Sequence, residues 1–381
     1  MSDVYYNEFD RPAEKKRRTG LAMRLVDLLF TLFSAAVGAA LFLTYLVPHV
    51  NPGKVWFFPV LGLAAPGIYV AAVVLMLYWI IRWRWLRAGT MLVLVVVGLF
   101  KVSLFWHPEF RRSYGDPDYG RGTFKVMSYN VRGFYDSGSG RSSADSILTL
   151  IDSLDPDIVC LQEFNPRLAA RSEAFSLLDE KYESATYGLS ADDPDAGMTP
   201  LAVLSKYRIL RSGVVLTPKS SVWADLLVGE DTVRVFNNHL HSTAINASDN
   251  EYLTTRRFLS DTARESKLRS IVSRLRKNSI LRAAQVDSIA DVRATVRTPV
   301  IVCGDFNDTP VSYVYRVMSD GLQDAFRACG SGYSHTYRGF FNTLRIDYIL
   351  SSGALEPLSY ETVPVDYSDH HPVLVRLRRS S

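Results

Sequence analysis

Apolar residues are unevenly spread along this chain. They crowd into the first hundred positions, and beyond those they come in short runs separated by polar and turn-forming residues. Residues 28 to 47 carry no charge and are numerous enough, at the helical rise, to cross a bilayer. The run is too long for a signal-peptide core and no small-residue cleavage pattern follows it, so it is expected to be retained. A second run, residues 55 to 81, contains Pro59, Pro66 and several glycines, which membrane helices tolerate where neighbours re-satisfy the backbone. It ends at Arg82-Trp-Arg-Trp85, followed by Arg87. The third run, 88 to 106, is interrupted by Lys101, which is close enough to its end to snorkel to the interface.

From Thr123 the pattern changes. Runs of β-branched and aliphatic residues at 124–129, 158–161, 201–204, 233–236, 300–303, 346–350 and 373–377 predict strands. Several are apolar throughout, as in sheets covered on both faces. Residues 142 to 154 predict a helix stopped by Asp155-Pro156. The resulting organisation is a basic tail (1–20), three transmembrane helices (21–106), a linker rich in proline and glycine (107–121) and an α/β domain (122–381).

Charge orients this arrangement. Lys15-Lys-Arg-Arg18 and Arg24 abut the first apolar run, and Arg82, Arg84 and Arg87 mark the turn after the second, so both read as cytoplasmic flanks. Three crossings then put the carboxyl domain on the extracytoplasmic side of a plasma or inner membrane; a re-entrant third run would leave it in the cytoplasm. The net charge of +4 is too mild to argue for a polyanion partner. Cys160, Cys303 and Cys329 make neither a disulfide framework nor a metal spacing, and the first two read as small buried hydrophobes. Residues 246 to 291 are polar, helix-prone and basic, with Arg256, Arg257, Arg264, Lys267, Arg269, Arg274, Arg276 and Lys277. They form either a solvated helical surface or a lid and basic contact for anionic substrate or lipid head groups.

The candidate chemistry lies where apolar runs end. Ser368-Asp-His-His-Pro372 sets an acid beside an imidazole just before a short strand. Gly304-Asp-Phe-Asn307 delivers Asp305 and Asn307 on one face of an extended chain, a carboxylate and an amide suited to holding and deprotonating an attacking water. Glu163 closes the run 158–162 and offers the oxygen ligand a hard divalent cation needs, and Asn130 can add a neutral oxygen. His239 and His241 form an i, i+2 pair, but the remaining candidates are oxygen donors, which argues against a transition-metal site. Asp347 places a carboxylate inside an apolar strand, where it requires a partner, and His370 is the natural one.

Met127-Ser-Tyr-Asn130-Val-Arg-Gly133, Leu161-Gln-Glu163, Asn238-His239-Leu240, Gly304-Asp-Phe-Asn307, Ile346-Asp-Tyr-Ile349 and Ser368-Asp-His370 stand in an order that resembles the endonuclease/exonuclease/phosphatase superfamily. Arg282-Ala-Ala-Gln285 is similar to its helix after the histidine strand. The resemblance spans about residues 122 to 380. It implies a four-layer α/β/β/α sandwich of two packed sheets and Mg²⁺- or Mn²⁺-assisted hydrolysis of a phosphoester. By the same resemblance Glu163 is the principal metal ligand with Asn130 and Asp369 nearby, Asp305 activates water, and Asn307 orients it. His239 contacts the phosphoryl group, and Asp347 orients His370, which stabilises the transition state. Arg132 departs from the acid or asparagine of some nuclease branches, and reads as a phosphate contact or as the partner of a surface acid.

The expected function is therefore a membrane-anchored, metal-dependent phosphoesterase, with phospholipid an attractive substrate because anchoring holds the site near the lipid surface. Two alternatives stand beside it. One is an extracytoplasmic nuclease using Tyr333, Tyr337, Phe340 and Phe341 as stacking platforms. The other is a catalytically silent membrane scaffold, against which the intact set of polar residues argues.

Overall fold

The structure is a computed structural model that describes residues 21–108, 122–136, 140–186, 200–217, 219–243, 261–339 and 342–380. The basic cluster at 15–18, most of the expected linker, Arg256, Arg257, Phe340, Phe341 and the side chain of Arg264 lie outside the described residues.

The amino-terminal runs form α1 (Leu21–Leu46), α2 (Phe58–Ile81) and α3 (Trp85–Val102), each long and apolar enough to cross a membrane by length and composition. α1 takes Arg24 and Asp27 into the helix ahead of the uncharged run. The buried Asp27 carboxylate is clasped by Arg82 and Arg84, each at 2.9 Å, which fastens the α2–α3 turn to the start of α1. At the other end the helices dock on the carboxyl domain. Asn51 donates to Asp287 at 3.3 Å, Arg276 lies over the Trp56 ring at 5.6 Å, and Arg345 donates to the Leu104 carbonyl at 2.9 Å. The short strand β1 (Trp106–His107) completes the contact.

The carboxyl domain holds two six-stranded sheets. The strands are β2 (Thr123–Asn130), β3 (Ile158–Gln162), β4 (Glu183–Thr186), β5 (Ala202–Ser205), β6 (Ile209–Val214), β7 (Ser221–Val228) and β8 (Asp231–His239). They continue with β9 (Val300–Asp305), β10 (Gln323–Asp324), β11 (Gly332–Tyr333), β12 (Asp347–Ser351), β13 (Leu355–Thr362) and β14 (Val373–Arg379). One sheet runs β10-β12-β9-β8-β7-β6 and the other β13-β14-β2-β3-β5-β4; β1 pairs with β11 separately. The parallel pairs β2/β3 and β8/β9 sit at the centre of each sheet, as crossover connections require.

Alternation along each strand sorts the side chains into layers. Val126, Cys160, Val203, Val222, Val235, Ile301, Cys303 and Val375 fill the space between the sheets, so the two central cysteines are core packing. Met127, Tyr129, Val159 and Leu161 face outward under α4 (Ala144–Leu154), α5 (Pro166–Ala169) and α6 (Glu173–Lys181). α4 ends where Asp155 adopts a left-handed conformation, φ 47°, just before Pro156. On the opposite face Val300, Val302, Tyr348 and Leu350 pack under α7 (Asp261–Ala294) and α8 (Tyr313–Met318), while α9 (Ala325–Cys329) sits against the β12–β13 end. The result is the four-layer α/β/β/α sandwich. The basic segment is thus largely α7: its carboxyl half buries Val286 and Ile289 on the sheet, and Leu268 nearer its start is exposed.

A buried polar bridge ties the two sheets together beneath their shared end. Gln162 of β3 donates to Asn237 of β8 at 2.7 Å, and Asn237 in turn donates to the carbonyls of Leu161 and Ala202. Gly304 on β9 has φ 126°, and a Cβ there would lie 1.9 Å from the Asn238 carbonyl oxygen, so only glycine lets β9 run this close to β8.

Candidate active site

Strand register assembles the cleft. In the first sheet His239 pairs with Asp305 across β8 and β9, and Asp305 pairs with Asp347 across β9 and β12. Three polar side chains therefore form one row at a common sheet end. In the second sheet Asn130 pairs with Gln162, so Glu163 leaves β3 at the same height as the end of β2. Ser368 anchors the loop before β14 by donating to the Asn130 carbonyl at 2.7 Å, which brings Asp369 and His370 over the row.

The side chains are mutually committed. Asn130 Nδ2 donates to Glu163 at 3.2 Å and to Asp305 at 3.1 Å, while its Oδ1 accepts the Arg132 backbone N–H at 3.0 Å. Asn307 donates to Asp305 through its backbone N–H at 2.8 Å and its amide at 3.1 Å. His239 Nε2 lies 3.6 Å from Glu163 and 3.8 Å from Asp305. His370 Nδ1 lies 2.9 Å from Asp347, and its Nε2 is 3.7 Å from Asp305. Glu163 and Asn307 hold left-handed backbone conformations, each with φ 52°; this is a strained geometry for glutamate, and the Glu163 carbonyl is held by the Gly133 N–H at 2.8 Å.

Burial and charge set the proton affinities. Burial pushes the Asp305 carboxyl up; the His370 cation opposes this, the Asp347 charge adds to it, and the result is about 6. Burial alone would push His370 down, but the carboxylates of Asp347 and Asp305 more than reverse it, to about 10. His370 is thus an imidazolium at neutral pH, flanked by two buried acids.

Each sequence-derived candidate can now be located. Glu163, His239, Asp305, Asn307, Asp369 and His370 line a single cleft of about 160 Å³. Asn130 and Asp347 sit immediately behind it through the bonds above. Asp369 is held by Arg132, whose Nε is 3.6 Å from its carboxylate, so Arg132 has an acid partner within the site. His241 does not join this cleft: its backbone N–H donates to Gln285 on α7 at 2.8 Å. Tyr337 does line the cleft, its ring 5.1 Å from that of His370, whereas Tyr333 does not.

The model for the Endonuclease/Exonuclease/phosphatase family matches residues 127–370. The chain belongs to that family. A second model, described as a domain of unknown function (DUF8431), matches residues 27–105. No curated protein matches the chain. Among solved structures, an endonuclease/exonuclease/phosphatase from Beutenbergia cavernae is 17% identical over 68% of this chain and 72% of its own, with a TM-score of 0.45. The endonuclease/exonuclease/phosphatase from Bacteroides vulgatus is 19% identical over 68% and 99%, TM-score 0.48. A mannosyl-6-phosphatase from Bacteroides thetaiotaomicron is 20% identical over 67% and 99%, TM-score 0.47.

Endonuclease/exonuclease/phosphatase proteins are divalent-metal-dependent hydrolases of phosphoester bonds, and so is this chain. Carboxylate and amide oxygens of the kind a hard cation takes stand in the cleft beside the imidazoles of His239 and His370, with no thiolate among the described residues lining it. Asp305, Asp347 and His370 also bring one ligand atom each within 4.8 Å of one another. His370 Nδ1 is already bonded to Asp347, and the side chain of Glu163 is 33% exposed beside His239.

Part of the cleft had no signal in the sequence. Pro59 and Leu63 of α2 line it, as do Leu275, Ser279 and Arg282 of α7. Arg282 is almost wholly buried, donates to the His241 carbonyl at 2.8 Å and lies 3.4 Å from Asp308. The motif Arg282-Ala-Ala-Gln285 marked the helix; the cleft-facing positions of α2 are indistinguishable by composition from its exposed apolar ones.

Proposed function

We propose that this protein is a membrane-anchored phosphoesterase that hydrolyses its substrate by in-line attack of water, with Mg²⁺ or Mn²⁺ as its metal. One observation carries the reading: the series Asp347–His370–Asp305–Asn130–Glu163 in and directly behind a single cleft, acids alternating with groups that hold protons.

In this mechanism Asp305 is the base that takes a proton from water, and its raised affinity near 6 matches a base working at neutral pH. Asn307, locked to Asp305 by two hydrogen bonds and with its amide also donating to the Leu240 carbonyl at 3.0 Å, orients that water through its amide oxygen. His239 and the His370 imidazolium donate to the phosphoryl group where charge develops, and Asp347 fixes the His370 ring. Glu163, with Asp369 and Asn130 beside it, would hold the cation, which would supply neutralisation of charge on the phosphoryl oxygens. Asn130 reaches it as an oxygen donor only with its amide turned over, because Oδ1 is held by the Arg132 N–H.

α1, α2 and α3 are the anchor. The arginine and tryptophan turn at 82–87 lies at the end away from the carboxyl domain, and by the bias of cationic residues toward the cytoplasm that domain faces the extracytoplasmic side of a plasma or inner membrane. The substrate is a phosphodiester or phosphomonoester at the membrane surface. A nucleic acid is the second reading, and the walls of α2 and α7 around a cleft of about 160 Å³ speak against a duplex.

The test is hydrolysis of bis-p-nitrophenyl phosphate by the full chain in detergent, with Mg²⁺ added or chelated, alongside His370→Ala. Metal-dependent turnover that His370→Ala abolishes supports the reading. A folded protein that turns over neither this diester nor the monoester p-nitrophenyl phosphate, under either condition, is a silent scaffold.

A further inference from the structure

The cleft does not end at its polar residues. Leu63 of α2 and Leu344, both in its wall, are also shared with a second cavity of about 700 Å³ that runs along α1 and α2. That groove exists because the facing positions are small: Ala36 and Ala40 on α1, and Ala64, Gly67 and Ala71 on α2. No charged side chain among the described residues lines it, and Tyr333 and Thr343 are its polar members. A polar cleft and an apolar groove between two membrane-length helices thus adjoin at Leu63 and Leu344.

We propose that the groove holds an acyl chain of the substrate, so that the enzyme hydrolyses a membrane lipid while the lipid's tail stays between α1 and α2. The inference rests on the phosphoesterase reading above and specifies its substrate class. The occupant follows from the adjacency of the two cavities and from their polarity. A nucleic acid or sugar phosphate has no part that could fill an uncharged groove of this size, whereas an amphiphile with a phosphoester head and a hydrocarbon tail matches both halves. The groove lies along helices of membrane length, so its occupant moves from one apolar environment to another and no methylene enters water as the head group rises into the cleft. The groove therefore sets position more than affinity: it delivers the ester to Asp305 and His370 from the side of the bilayer.

Gly67 offers the test, because it lines the groove and a Cβ added there meets nothing within 4 Å. The full chain is reconstituted in phosphatidylcholine vesicles carrying phosphatidylglycerol and phosphatidic acid, and lipid turnover is measured beside bis-p-nitrophenyl phosphate turnover in the same samples. Gly67→Phe, and separately Ala40→Phe from the facing helix, should lower the ratio of lipid to soluble-ester turnover about tenfold or more. In parallel, phosphatidylglycerol with a diazirine in its acyl chain should label the α2 peptide containing Gly67 in the wild type and label it several-fold less in the variants. The soluble ester reports folding in every sample. Soluble-ester turnover with neither lipid product nor α2 labelling overturns the acyl site and leaves the phosphoesterase standing, as does cleavage of single-stranded DNA in place of lipid. Labelling that persists undiminished in both variants also overturns it. Absence of turnover on every ester removes both readings together.

Discussion

Asp347 stands directly opposite Asp305 in the antiparallel ladder of β12 and β9. Two buried carboxylates so placed repel one another, and the His370 imidazolium, 2.9 Å from one and 3.7 Å from the other, compensates both. The two acids are placed differently: Asp347 sits behind the cleft against the His370 ring, and Asp305 lines the cleft itself.

If Asp347 acts only through His370, Asp347→Asn should lower kcat by about 10²- to 10⁴-fold and change KM little. His370→Ala should cost at least as much. The double variant should be no slower than His370→Ala alone, because residues acting as one unit are not additive. Steady-state turnover of bis-p-nitrophenyl phosphate by the three proteins decides it, and multiplicative losses would separate the two residues.

The polar residues that end apolar strands could be read from the sequence because central strands, covered on both faces, are conspicuously apolar: β2, β3, β9 and β12 lie where the runs at 124, 158, 300 and 346 predict them. The strands that composition hid are mostly edges. β4, β6, β10 and β13 each close a sheet, and residues such as Arg211, Ser212, Glu356 and Pro357 break their patterns. β7 is internal but carries Asp225, buried and held by Arg234 at 2.6 Å, a pairing no local pattern reveals. The docking of α2 onto the cleft was invisible for a different reason. Pro59 and Leu63 sit in an unbroken apolar run, and hydropathy cannot distinguish a side chain facing lipid from one facing an active site.

The pH profile of kcat/KM should be a broad bell. Asp305 must be ionised to accept a proton, so activity is lost as pH falls through about 6, or somewhat lower with a cation beside Glu163 to favour the carboxylate. His370 must be protonated, so activity is lost as pH rises through about 10. Stability follows the same group. The His370 affinity is raised above its ordinary 6.5, so its contribution is complete below 6.5 and disappears as pH climbs through about 10. Unfolding of the wild type should therefore become easier between pH 7 and 10, and His370→Gln should flatten that slope. An alkaline limb near 7 would mean that His370 is neutral in the working enzyme.

Arg345 links the segment after the amino-terminal helices to the sandwich. Fully buried, it lies 2.9 Å from Asp324, donates to the Leu104 carbonyl and rests 4.7 Å from the Phe326 ring. Arg345→Met leaves the Asp324 carboxylate buried without its cation, which should destabilise the protein by about 3–5 kcal/mol. Arg345→Met with Asp324→Asn should recover part of that loss, since the uncompensated charge is gone. Denaturant unfolding of the full chain in detergent measures both, and equal losses would assign the effect to packing.

Metal dependence should be concentrated in Glu163. Chelation should abolish turnover, and Mg²⁺ or Mn²⁺ should restore it. Glu163→Gln keeps the shape of the side chain beside Asn130 and His239 but removes the anionic oxygen a hard cation requires, so the Mg²⁺ concentration for half-maximal rate should rise about 100-fold or more. Asp369→Asn should shift it far less, because Arg132, 3.6 Å away, already offsets that carboxylate. The titrations separate two kinds of acid: a shift in metal requirement marks a ligand, whereas a loss of kcat at saturating Mg²⁺, expected for Asp305→Asn, marks the base. Turnover insensitive to chelation, or equal shifts for Glu163 and Asp369, would remove Glu163 from its place at the cation.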